Sequence, residues 1–96
     1  MDLKKASKQA YEIAIKRGIH EDTIQALKHC AGEVIEAAES YTKYVYSPRE
    51  EKDTFPEEIA DIVTCILSIC GAENIDLEKA IKDVFEKNRR RADGYN

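Results

Sequence analysis

Apolar residues recur along most of this chain at steps of three and four, the period of a helix rather than a strand. Leu3, Ala6, Ala10, Ile13 and Ala14 predict a first helix from Leu3 to about Arg17, with Gly18 as its stop. Ile24, Leu27, Ala31, Val34, Ile35, Ala38, Tyr41 and Val45 form the stripe of a second helix, from about Thr23 to Tyr46. Asp22 is placed to cap it. The polar stretch from Ser47 to Asp53 is long enough for a third helix to fold back antiparallel to the second. Thr54 and Glu57 are spaced as a capping box at its start, Pro56 is tolerated in a first turn, and Gly71 is expected to end it. Asp76 caps a fourth helix from Leu77 to about Arg91, with Leu77, Ala80, Ile81, Val84 and Phe85 expected to face inward. The pattern predicts a small all-α, four-helix bundle.

The third helix is the most apolar. Ile59, Ile62, Val63, Ile66, Leu67, Ile69 and Cys70 cover one broad side, while Thr64, Cys65 and Ser68 leave the other nearly uncharged apart from Asp61. A helix with both sides suited to burial, in so short a chain, predicts a homo-oligomer, dimer or tetramer. Ninety-six residues correspond to one domain, 1–96.

Composition narrows the function classes. A net charge of −4 argues against a nucleic-acid binder held by phosphate contacts. No apolar run approaches the roughly 20 residues of a membrane span, and Met1-Asp2-Leu3-Lys4-Lys5 lacks a signal peptide's apolar core, so a cytoplasmic protein is expected. Cys30, Cys65 and Cys70 are odd in number and form no C-x-x-C pair. Free thiols are expected, and zinc is disfavoured.

The chemistry is expected from acids. Glu33 and Glu36, then Glu58 and Asp61, are spaced E-x-x-E and E-x-x-D, so each pair projects from one helix face. Glu33, Glu36 and Glu39 make a like-charged row, and nothing basic stands three or four positions from Glu36. Between Lys52 and Lys79 there are seven acids and no Lys or Arg. One reading is a solvated acidic face. The other is a divalent-metal site on two antiparallel helices. Magnesium takes one or two carboxylates per ion and leaves other positions to water and phosphates. Four carboxylates therefore suit two or more Mg²⁺ handling a polyphosphate.

A second feature is the run Lys87-Asn88-Arg89-Arg90-Arg91. Asn88 and Arg91 share a face, with Lys87 one turn before Arg91. Arg offers planar, bidentate donors to phosphate, and Asn serves phosphate or a sugar hydroxyl. The same cations would also favour a helix dipole with no ligand at all.

Together these residues resemble the all-α, MazG-like nucleoside triphosphate pyrophosphohydrolases, relatives of the dimeric dUTPases and phosphoribosyl-ATP pyrophosphohydrolases. The family pattern is E-x-x-E, a spacer, E-x-x-D, then N-x-x-R, matched here by Glu33/Glu36, Glu58/Asp61 and Asn88/Arg91. The resemblance spans about Asp22 to Arg91. The Ser47-Pro48-Arg49-Glu50 stretch and Gly32 are closest to the dCTP-pyrophosphatase branch. It implies that Glu33, Glu36, Glu58 and Asp61 bind Mg²⁺. It also implies that Asn88 and Arg91, with Lys87, hold the phosphates or sugar of a nucleoside triphosphate. His20 would lie on the base side, and His29 is read as structural. Glu36 or Glu39 would orient or deprotonate the attacking water. The chain departs from the pattern at Gly32, where some members have Glu, and at Val84, where many have Lys.

Two rivals come from other classes. A non-catalytic MazG-like bundle would hold nucleotides or a protein partner without turnover. A di-iron carboxylate bundle wants E-x-x-H ligands, and neither histidine has a Glu three residues before it.

Overall fold

The computed structural model describes residues 1–46 and 55–94, with Tyr44 described by its backbone alone. Four helices follow one another: α1 (Leu3–Arg17), α2 (Thr23–Tyr46), α3 (Phe55–Glu73) and α4 (Leu77–Ala92). The all-α expectation holds. Thr54 and the linker at 47–53 lie outside the described residues.

Local chemistry sets most of the boundaries. The Asp2 carboxylate accepts from the Lys4 and Lys5 amides at the start of α1. Gly18 ends α1 at φ 71°, its N–H donating back to Ala14 and Ile15 carbonyls, and Ile19 N–H also returns to Ala14. Asp22 accepts from Gln25 N–H at 2.7 Å, and Asp76 from Lys79 N–H at 3.1 Å, so both expected caps form.

Gly71 does something other than stop a helix. It sits inside α3, which runs two residues further and ends before Asn74, a left-handed residue at φ 56°. A Cβ at Gly71 would lie 2.3 Å from the Ser7 carbonyl oxygen and 2.8 Å from Tyr11 Cβ. The glycine is there because the backbones of α1 and α3 come close, a tertiary demand that no local signal carries.

α3 is the central element, packed on α1 along one side and α2 along another. Both pairings are antiparallel. Thr23 donates to Glu73 at one end of the α2/α3 seam, and Tyr41 stacks on Phe55 at 5.0 Å at the other. Ser7 meets Gly71 near the start of α1, whereas Arg17 shares a cavity with Asp61 at its end.

The buried residues are mainly small: Ser7, Ala14, Ala26, Ala37, Ser40, Ser68 and Cys70, with His20, Leu67 and Ile69 the larger ones. On α2 the face against α3 is Ala26, His29, Cys30, Glu33, Ala37 and Ser40, all buried or half-buried. The apolar stripe read from the sequence points the other way. Ile24, Leu27, Val34, Ile35, Tyr41 and Val45 are each about half exposed or more. On α3, Ile59, Val63 and Ile66 are exposed in the same manner.

α4 also departs from expectation. Among the described helices it has light contact with α1 and buries no residue, and Phe85 is 69 % exposed. Of its apolar stripe, Leu77 and Ala80 are half-buried, whereas Ile81, Val84 and Phe85 are exposed and do not face inward within this chain. Exposed pairs on its polar side, Lys79–Asp83 at 2.8 Å and Lys82–Glu78 at 3.8 Å, support the helix locally. Among the described residues no helix is long and apolar enough to cross a membrane.

Candidate active site

The α1/α2/α3 junction forms a half-open cavity of about 220 Å³. α1 supplies Ala10, Ile13, Ala14 and Arg17 to its wall, with Ile19 just beyond; α2 supplies His29 and Glu33; α3 supplies Asp61, Thr64, Cys65 and Ser68. Glu33 and Asp61, from different helices and from the two halves of the expected metal motif, therefore face one space. A larger groove of about 840 Å³, between the first half of α1 and the α3–α4 turn, contains none of the expected site residues. The chemistry favours the smaller one.

Each carboxylate has a different setting. Glu33 is the most enclosed of the α2 acids, with a side chain 18 % exposed, and its Oε1 lies 3.2 Å from His29 Nε2. Asp61 lines the cavity while remaining open to water. Glu58, in the first turns of α3, has Oε2 fully buried with no hydrogen-bond partner among the described residues. An isolated buried carboxylate oxygen is unfavourable by about 1–3 kcal/mol or more, so it calls for a donor or a cation. Glu36 and Glu39 are exposed and do not line the cavity.

Cys65 stands between the acids. Burial pushes its thiol up to about 11; the charges of Cys30, Glu33 and Asp61 push the same way, and Arg17 opposes them. The thiol is therefore neutral at physiological pH and adds no charge of its own. Thr64 and Ser68 donate their hydroxyls to the carbonyls of Asp61 (3.0 Å) and Cys65 (2.8 Å), one turn back along α3.

Lys87, Asn88 and Arg91 lie exposed on α4 and do not line this cavity. Within one chain, one carboxylate of each motif, Glu33 and Asp61, lines this cavity, whereas Glu36, Glu58 and the basic motif do not. His20 is buried, edge-on to Tyr11 at 5.0 Å, with Nδ1 unpartnered among the described residues. It lines neither cavity.

The donor set bears directly on a metal. Among the described residues no three His, Cys, Asp or Glu side chains converge closely enough to cage an ion. Magnesium needs no such cage, because water and substrate phosphates complete its shell. A pair of carboxylates on one cavity, Glu33 and Asp61, fits that mode of binding, whereas Glu58, with its unpartnered Oε2, does not line the cavity.

The chain matches the MazG nucleotide pyrophosphohydrolase domain over residues 19–95. It belongs to the MazG family. No curated protein and no solved structure matches it significantly. The family match contains both carboxylate motifs and the N-x-x-R segment, whereas all of α1, including Arg17, lies outside it. The sequence pattern marks Thr64, Cys65 and Ser68 only as a side suited to burial, reads His29 as structural, and carries no signal for Arg17. For His29 a signal existed: it stands four residues before Glu33, where helical neighbours touch.

Proposed function

We propose that this MazG-family chain is a divalent-metal-dependent nucleoside triphosphate pyrophosphohydrolase, with Mg²⁺ as the ion. The observation that carries the reading is that Glu33 of α2 and Asp61 of α3 line one cavity. Glu33, Glu36, Glu58 and Asp61 would hold the metal. A bound divalent cation supplies charge neutralisation for a triphosphate and polarises the oxygens it touches.

The chain's own groups do the rest. Glu36 or Glu39, exposed on the next turns of α2, orients the attacking water and takes its proton. Attack at phosphorus breaks a phosphoanhydride bond, releasing pyrophosphate and a nucleoside monophosphate. Asn88, Arg91 and Lys87 bind phosphate or sugar. His20 is retained as a base-side residue, supported by its unpartnered Nδ1.

The same reading makes the working unit a homodimer or homotetramer. The support is the exposed apolar surface on α2, α3 and α4, where Ile35, Val63 and Phe85 are 59 %, 47 % and 69 % exposed.

The test is release of pyrophosphate from a panel of nucleoside triphosphates, with and without Mg²⁺. Glu36→Ala and Asp61→Ala are expected to abolish it while helical circular dichroism persists. Unchanged turnover in either variant contradicts the assignment. A non-catalytic nucleotide-binding bundle draws support from Val84, where many members have Lys, and from the basic motif lying off the carboxylate cavity within one chain. It predicts binding without pyrophosphate from every substrate.

A further inference from the structure

We propose that His29 is a positioning residue that holds Glu33 in its metal-binding orientation, an inference that rests on the metal reading above. His29 precedes Glu33 by one turn of α2, and its Nε2 lies 3.2 Å from Glu33 Oε1. The pair is unlike an ordinary surface contact. Lys79 and Asp83, also four apart, are 72 % and 63 % exposed, whereas His29 and Glu33 are 33 % and 18 %. Exposed pairs of that kind contribute only a few tenths of a kcal/mol.

The cavity explains why this pair does more. Ala10, Ile13, Ala14 and Ile19 contribute apolar groups to the same cavity, so His29 and Glu33 meet in a less polar setting than the exposed pair, where a hydrogen bond is stronger. With Nε2 protonated, the imidazole donates to Oε1 and leaves Oε2 free to take a cation shared with Asp61. The other charged group on the cavity wall is Arg17, from α1. Carboxylates that bind metals are typically fixed in this way by a neighbouring donor, and loss of that donor weakens metal affinity or activity about 10–100-fold.

The experiment needs no nucleotide and no turnover. Mn²⁺ is titrated into the full chain and free Mn²⁺ is read by electron paramagnetic resonance, for wild type, His29→Ala and His29→Gln. His29→Ala is expected to weaken Mn²⁺ binding about tenfold or more, with its metal-free melting temperature close to wild type. His29→Gln, whose amide N–H reaches the carboxylate at i+4, is expected to recover most of the affinity. Equal affinity in His29→Ala and wild type overturns the proposal. So does a Gln variant no better than Ala. Wild-type protein that binds no Mn²⁺ removes the metal reading beneath it, a failure visible before any variant is compared.

Discussion

The two faces of α2 are built from opposite materials and have opposite fates. The inner face, Ala26, His29, Cys30, Glu33, Ala37 and Ser40, is small and polar, yet it packs on α3. The outer face, Ile24, Leu27, Val34, Ile35 and Val45, is large and apolar, yet it stands in the open. Small side chains let two helices approach closely, and that approach brings Glu33 to the same cavity as Asp61. Within one chain, hydrophobicity does not decide which face packs; backbone proximity and polar partners do. The difference teaches that the inner face carries the proposed site, while the outer face is the surface that the proposed oligomer would cover.

The strongest way to break that division is to charge the outer face. Ile35→Asp with Val63→Asp is expected to convert the oligomer to monomer, raising its dissociation constant by 100-fold or more, about 3 kcal/mol, as loss of central apolar anchors does. Sedimentation equilibrium reads the mass. A variant of unchanged mass would show that this face covers nothing.

A smaller effect sharpens the inner side of the comparison. Gly71→Ala puts a methyl group 2.3 Å from the Ser7 carbonyl, so α1 and α3 must move apart. The expected loss is about 1–3 kcal/mol of stability, seen as a lower urea midpoint with unchanged slope. A neutral substitution would mean that the seam is looser than the geometry describes.

The sequence made the helices legible because their signals are local. Asp22 and Asp76 cap where expected, Gly18 terminates α1, and apolar periodicity gave α1 and α2 their lengths. Gly71 was misread for the complementary reason. A glycine that ends a helix and one that admits a neighbouring helix look alike until the neighbour is in place. The α4 stripe failed likewise: Leu77, Ile81, Val84 and Phe85 have the right period, but periodicity does not say whether the surface they face belongs to their own chain. Of the candidate site, spacing and the lack of basic partners single out four acids, of which Glu33 and Asp61 line one cavity. Arg17 was not legible, since only folding brings the end of α1 to the cavity holding Asp61. His29 was readable in principle from its four-residue distance to Glu33, but its role depends on the apolar groups that α1 supplies.

The most direct measurement of the central claim is where a divalent cation sits. Mn²⁺ added in trace amount to isotopically labelled protein broadens the amide resonances nearest to it. Broadening that begins at Glu33, Asp61 and Cys65, and vanishes in an Asp61→Asn variant, is the predicted result. Broadening centred away from the α2/α3 seam, or equal in wild type and variant, contradicts the account.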